Sequence, residues 1–126
     1  MNTKESGIIF GIVMDAIVNK MTPLRPTHPG EILKDEIEYR GISQRKLAAN
    51  MGISHTMLNE ILNAKRPVNT EFALLIEAAL GVDSDTLVNM QTRYNMQMAR
   101  ADKTLTERFN QIRKLSAPFN KEKSYR

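Results

Sequence analysis

The feature that most restricts the fold is a glycine that interrupts a helical pattern at residue 52. The stretch from residue 50 to residue 61 reads NMGISHTMLNEI. Its apolar residues have the spacing of one buried helix face, but Gly52 breaks the pattern and Ser54 follows at once. Glycine commonly ends a helix in the left-handed conformation, and serine commonly caps the next helix. The stretch therefore predicts two short helices joined by a tight turn.

Residues 21–30 have the composition of a proline-rich, extended linker, and helix one is expected to begin near Pro29. His28 has the position of its N-cap, with Pro29 in the first turn and Glu31 at the third helical position. This assignment gives His28 a structural role. The inner face of the helix is apolar, and its outer face is expected to carry four acids: Glu31, Asp35, Glu36 and Glu38.

The following segments repeat this order of cap, apolar stripe and stop signal. The expected N-caps are Ser43, Ser54, Thr70, and either Asp83 or Ser84. Helix three should cover residues 55–63, and helix five should reach about Met98. Helix four should end at Gly81 and bury Phe72, Leu75, Ile76 and Ala79. An amphipathic segment at residues 104–115 completes an all-α fold, because no stretch alternates with the period of a strand.

Composition argues against an enzyme. The chain has no cysteine, and its two histidines, His28 and His55, are far apart in sequence. It shows neither a metal-binding histidine pair nor a glycine-rich phosphate loop. We therefore expect no catalytic residue, no metal and no cofactor.

The net charge of +4 is unevenly distributed. Residues 1–98 carry 10 basic and 11 acidic side chains, whereas residues 99–126 carry 8 and 3. The high isoelectric point therefore arises in the C-terminal arm and is weak evidence for nucleic-acid binding.

The two short helices have the features of a DNA-binding helix-turn-helix over residues 44–63. Ala48 falls where the helices cross, and a larger side chain there would push them apart. Gly52 makes the turn, and Ile53, Leu58 and Ile61 anchor the second helix to the core. The other face of that helix is then left for the major groove.

The candidate DNA-binding residues follow from this register. Asn59 can pair with adenine, and Thr56 and Met57 can contact thymine methyl groups. Lys65 and Arg66 follow the helix and suit phosphates. The full candidate set is Gln44, Ser54, His55, Thr56, Met57, Asn59, Asn63, Lys65 and Arg66.

Four motifs resemble the lambda-repressor-like, XRE-type helix-turn-helix family, and within it the HigA antitoxins that include the VapI-like proteins. They are RPTHPGEIL (25–33), GISQRKLAANMGIS (41–54), NAKRPVN (63–69) and MQTRYNMQMA (90–99). The resemblance covers about 75 residues, from 25 to 99. The chain departs from the family pattern in two places: Ala64 stands where glycine is usual, and Leu87 stands where many members have tryptophan.

The resemblance implies a homodimer that binds operator DNA in its own promoter and neutralises a HigB-like ribonuclease toxin. The alternative is a stand-alone XRE-type regulator with no toxin partner. An acidic helix one, or the apolar N-terminal arm, is the expected toxin-binding surface. The candidate dimer interface lies on helix five and comprises Leu87, Val88, Met90, Gln91, Tyr94 and Met98, although these residues could instead complete the chain's own core.

The expected organisation has three parts. Residues 1–24 form an N-terminal extension with helix-like spacing, residues 25–99 form the helix-turn-helix domain, and residues 100–126 form an amphipathic helix with a basic, disordered tail. Met21 is a candidate start of the protein. The apolar run near the N-terminus covers about 12 residues, which is too short to span a bilayer, so we expect a cytoplasmic protein.

Overall fold

The computed structural model describes residues 26–120, and this part of the chain is built from α-helices. The helices are α1 (Pro29–Tyr39), α2 (Gln44–Met51), α3 (His55–Leu62), α4 (Thr70–Leu80), α5 (Ser84–Ala101) and α6 (Lys103–Leu115). The all-α fold expected from the sequence is confirmed. The N-terminal extension, residues 1–24, and the last residues of the tail lie outside the described part.

The N-terminus of α1 is held by a capping box. The His28 ring nitrogen Nδ1 accepts a hydrogen bond from the Gly30 backbone at 2.9 Å, and the Glu31 carboxylate accepts one from the His28 backbone at 3.1 Å. These two bonds satisfy N–H groups that a helix start leaves without partners. The structural role expected for His28 is confirmed.

One acid expected on the outer face of α1 lies inside the protein. Glu36 is 3% exposed and pairs with Arg40, one turn further along α1. Arg40 also donates to the Leu80 carbonyl at 2.8 Å, so it ties the end of α1 to the end of α4. The acidic outer face therefore consists of Asp35 and Glu38, which are exposed, and Glu31, which is half-buried.

Two expectations for α4 are wrong. Its N-cap is Asn69, whose side-chain oxygen accepts from the Phe72 backbone at 2.8 Å, and Thr70 is the first helical residue. Ala79 is exposed, whereas Phe72 and Ile76 are buried. Residue 79 is three positions after Ile76, but at this end of α4 it is Leu80, four positions after Ile76, that packs against the core. Gly81 ends the helix with a φ of 74°, as expected.

The face of α5 expected to form a dimer interface is largely used within the chain. Leu87 is fully buried and Met90 is 8% exposed. Gln91 is 5% exposed, and its side-chain oxygen accepts a hydrogen bond from the Val68 backbone at 2.8 Å. These three residues complete the single-chain core. Val88 also packs against that core and Tyr94 packs on His28, so among the six expected interface residues Met98 is the exposed one.

The chain divides into two compact units between Tyr94 and Asn95, within α5. In the first unit, a core of buried aliphatic side chains and Phe72 holds α1 to α4 and the start of α5. In the second unit, Asp102 caps α6 by accepting from the Leu105 backbone at 3.0 Å, and the Thr106 hydroxyl donates to the Arg100 carbonyl at 3.2 Å. Helix α6 contains no buried residue. No helix within residues 26–120 is long and apolar enough to cross a membrane.

Candidate nucleic-acid interface

The turn between α2 and α3 has the geometry predicted from the glycine break. Gly52 has a φ of 71°, in the left-handed region where an L side chain is strained. Its N–H and that of Ile53 bond back to carbonyls of α2, and the hydroxyl of Ser54 accepts from the Met57 backbone at 3.0 Å. The chain therefore reverses within three residues without leaving these backbone groups unpaired.

The helix crossing is tightly packed. Ala48 is 1% exposed, and Leu58 and Ile61 are fully buried beside it. On the side of α1, a Cβ added to Gly30 would lie far inside van der Waals contact with the Ile61 carbonyl oxygen. Glycine at position 30 therefore lets α1 approach the end of α3, and both helices hold α3 in one orientation.

The exposed face of α3 carries most of the expected DNA-binding residues. Ser54, Thr56, Asn59 and Asn63 are exposed, and Lys65 and Arg66 are exposed just beyond the helix. Three expected members are not fully exposed, and one of them, Gln44, is half-buried at the start of α2. Met57 is half-buried and packs against the core, because it lies at the edge of the buried stripe, and His55 is half-buried as well.

Polar contacts order this face before any DNA is bound. The Asn59 amide donates to the Gln44 side-chain oxygen over 3.4 Å, which joins the middle of α3 to the first residue of α2. The Asn63 amide donates to the Asn59 carbonyl at 2.8 Å. Gln44 and Asn59, separated by 15 positions in sequence, thus lie on one surface, as the helix-turn-helix register required.

Two charged residues change the positive charge expected at the exposed face of α3. Arg66 forms an ion pair with Glu60 at 2.9 Å, so part of its charge is compensated. Lys34 of α1 was not among the candidates, yet its ammonium group donates to the Asn63 side chain at 3.1 Å and so lies beside the end of α3. The sequence held no signal for this placement, because it depends on how α1 packs across α3.

The turn after α3 keeps the conformation that glycine would favour. Ala64 has a φ of 62° and is the one non-glycine residue with a positive φ among the described residues. A side chain costs about 1–2 kcal/mol in this region. The turn that precedes Lys65 and Arg66 is therefore formed at some cost in stability.

The ring of His28 is close to this turn, because it forms a hydrogen bond with the backbone of Arg66. It is 2% exposed and packs edge-on against Tyr94, with ring centroids 4.9 Å apart. Burial lowers the pKa of His28, and this effect outweighs the carboxylate of Glu31 and a hydrogen bond to the Arg66 backbone, which both act to raise it. The neutral ring is thus the form that fits the folded protein. No group of histidines and carboxylates that could hold a metal ion occurs within residues 26–120.

Comparisons with known proteins agree with this geometry. Residues 33–87 match the family model described as Helix-turn-helix. The chain is 38% identical over 77 residues to Virulence-associated protein I of Dichelobacter nodosus, a match that spans 60% of this chain and 71% of that protein.

Two solved structures share the fold. One is an addiction module antidote protein of a HigA family from Coxiella burnetii, with 29% identity and a TM-score of 0.61 over 70% of this chain and 95% of that one. The other is a Pseudomonas aeruginosa protein in complex with its operator DNA, with 29% identity and a TM-score of 0.58 over 67% and 92%. The chain therefore belongs to the XRE-type helix-turn-helix family of DNA-binding proteins, among its VapI-like and HigA-type members.

Proposed function

We propose that this protein is the antitoxin of a type II toxin–antitoxin system, which represses its own operon and neutralises a HigB-like ribonuclease. The observation that carries the proposal is the polar, pre-ordered face of α3, on a fold shared with a HigA antidote protein. A second similar structure was solved with its operator DNA.

In the proposed complex, α3 lies in the major groove of the operator. Asn59 and Thr56 read base edges, because they are exposed on the helix face that points away from the core. Gln44, Lys65 and Arg66 contact phosphates, and Lys34 joins them beside the end of α3. Contacts to phosphates set the register on the duplex, and contacts to bases select the sequence.

The proposed DNA-binding species is a homodimer. One α3 helix has two turns and offers too little contact to bind tightly by itself, whereas two copies about 34 Å apart reach successive major grooves on one side of the duplex. The exposed or half-buried residues Val88, Tyr94 and Met98 remain the candidates on α5.

The proposed toxin-binding surface includes the acidic side of α1. Asp35 and Glu38 are exposed there, and they would face the basic, RNA-binding surface expected of a ribonuclease. The N-terminal arm with Ile8, Ile9, Phe10, Ile12 and Val13 is the second expected toxin contact, and it lies outside the described residues.

The test begins with the gene next to the one that encodes this chain. Its product should be a small ribonuclease whose activity is lost when it is mixed with this protein at equal molar amounts. The protein should also shift a duplex from its own promoter and leave a duplex of scrambled sequence unshifted. If the promoter duplex shifts but the neighbouring product neither binds nor cleaves RNA, the protein is a stand-alone regulator.

A further inference from the structure

The loop between α3 and α4, residues 63–69, carries two of the residues proposed to contact phosphates. Lys65 and Arg66 are exposed in this loop, which we call the basic loop. Its backbone is a turn followed by irregular chain, and Ala64 at its start has a strained, positive φ of 62°. A strained segment keeps one conformation only where the surrounding structure holds it. The contacts that hold the basic loop therefore bear on how its cations are presented.

His28 reaches the basic loop with one of its two ring nitrogens. Nδ1 accepts a hydrogen bond from the Gly30 backbone at 2.9 Å, and the ring also forms a hydrogen bond with the Arg66 backbone. A neutral imidazole has one acceptor and one donor nitrogen, so Nε2 donates to the Arg66 carbonyl. The ring is 2% exposed, and Tyr94 packs edge-on against it at 4.9 Å. A single buried ring thus joins the start of α1 to the basic loop.

Gln91 holds the same loop from α5. Its side-chain oxygen accepts from the Val68 backbone at 2.8 Å, and both residues are buried, at 5% and 3% exposure. Gln91 and Tyr94 are three positions apart on α5, so they lie on one side of that helix. Helix α5 therefore supports the basic loop twice, directly through Gln91 and through the ring that Tyr94 packs against.

Helix capping alone does not account for a histidine at position 28. Ser, Asn and Asp are the preferred caps, and they provide the one acceptor that a helix start needs. The second nitrogen of His28 has no part in the cap and is bonded to the basic loop instead. On the α3 side, the Lys65 N–H donates to the Glu60 carbonyl at 2.8 Å. The backbone of Lys65 and Arg66 is thus fixed on both sides.

We propose that His28 and Gln91 are positioning residues for DNA binding, which fix the basic loop so that Lys65 and Arg66 meet phosphates without further ordering. The inference rests on the proposed function, because it takes these two cations as phosphate contacts. At 2% and 5% exposure, His28 and Gln91 act through the loop and do not touch DNA themselves. Long side chains rooted in a fixed backbone lose less freedom on binding, and affinity gains accordingly.

A double-mutant cycle on the full chain tests this role. His28→Asn keeps a good helix cap but has no atom in the place of Nε2. It should weaken binding about tenfold on the promoter duplex and on a scrambled duplex, because ordering the loop again costs affinity on any sequence. When Lys65→Ala and Arg66→Ala are already present, His28→Asn should weaken binding by less than about twofold, because no cation is left to position. Fluorescence anisotropy measures all four proteins.

Gln91→Met tests the second support independently of the cap. Methionine has a similar length and lacks the oxygen that accepts from Val68. This variant should also weaken binding to both duplexes, and its effect should also disappear when Lys65 and Arg66 are alanine.

Val82→Ala is the matched control for a general loss of stability. Val82 is 2% exposed in the connection between α4 and α5, so its truncation removes core volume without removing a bond to the basic loop. It should lower the melting temperature and leave DNA affinity within about twofold of wild type, measured where circular dichroism shows each variant folded.

The outcomes separate this inference from the proposed function. If His28→Asn and Gln91→Met weaken binding equally with and without the two cations, or do not weaken it, the positioning role is overturned while promoter binding stands. If the double alanine variant binds as tightly as wild type, the cations make no phosphate contact and the inference falls with that assignment. If wild type binds no promoter duplex, the repressor function itself fails and the inference fails with it.

Discussion

The α2–α3 pair and α6 use the same kinds of residue in opposite ways. Both are amphipathic and short, but in α2 and α3 the apolar residues are buried, as with Leu47, Leu58 and Ile61, and the exposed side is polar. In α6 no residue is buried, and the apolar row ends in Leu115 at 78% exposure. Where the apolar side of a helix is covered, its polar residues are the candidate binding surface. Where the apolar side is uncovered, the apolar residues are the candidate binding surface.

The largest expected difference comes from making one substitution in both regions. Leu47→Ala in α2, where the side chain is 3% exposed, should lower the free energy of unfolding by about 2–5 kcal/mol. Leu115→Ala in α6 should change it by less than about 0.5 kcal/mol, since no packed cavity is created. Urea unfolding followed by circular dichroism measures both. Similar losses at the two sites would mean that α6 is as well packed as α2 and would remove the contrast.

A single methyl group should test how closely α1 and α3 are packed. Gly30→Ala should cost about 3 kcal/mol or more, because its Cβ would meet the Ile61 backbone, which cannot move without shifting α3. Gly41→Ala is the control: its φ is 67°, but nothing lies within 4 Å of the added carbon, so it should cost about 1 kcal/mol. Thermal melts rank the two, and a milder effect at residue 30 would show that the helices are further apart than described.

The polar side of α3 can be divided between base and phosphate contacts. Asn59→Ala should weaken operator binding by about 1–3 kcal/mol and relax the preference at one base pair. Lys65→Ala should weaken all duplexes alike and reduce the slope of log K against log salt by about one unit. Fluorescence anisotropy over a salt series, on operator and scrambled duplexes, provides both values. Equal losses for Asn59→Ala on the two duplexes would exclude base readout.

His28 links the stability of the first unit to pH. Because burial lowers its pKa in the folded protein, the unfolded state takes up the proton first as the pH falls. The stabilisation is therefore complete above about pH 6.5, the ordinary histidine value, and declines below it. Since the chain has two histidines, His55→Gln leaves His28 as the sole titrating imidazole. Urea midpoints of that variant should fall between pH 6.5 and 5.5, and a flat profile would contradict the burial effect.

The smallest expected effect is a gain in stability at the turn after α3. Ala64→Gly should add about 0.5–1 kcal/mol, because relief of the strained backbone exceeds the extra entropy of glycine in the unfolded chain. Ala49→Gly, at an exposed position inside α2, should instead lose about 1 kcal/mol. Opposite shifts of the two melting temperatures are the expected result, and a loss at both sites would mean that the turn at Ala64 does not need glycine geometry.

Most of the local structure followed from short-range signals. The caps His28, Ser43 and Ser54, and the stops Gly52 and Gly81, depend on hydrogen bonds within three or four residues, so the sequence alone determined them. The same holds for the helix-turn-helix, since its register depends on adjacent helices. The misplaced cap of α4 shows the limit of such signals, because Asn69 and Thr70 are both good caps and sequence does not rank them.

Other side chains owe their burial or position to contacts between residues far apart in sequence, and only the tertiary structure decided these. The burial of Glu36 depends on Arg40 reaching Leu80, and the position of Lys34 depends on α1 crossing α3. The burial of Leu87, Met90 and Gln91 depends on the start of α5 packing within the first unit, whereas Ile112 and Leu115 of α6, which are equally apolar, stay exposed. Periodicity tells which side of a helix is apolar. Whether another part of the chain covers that side is set by long-range packing, which a local pattern does not encode.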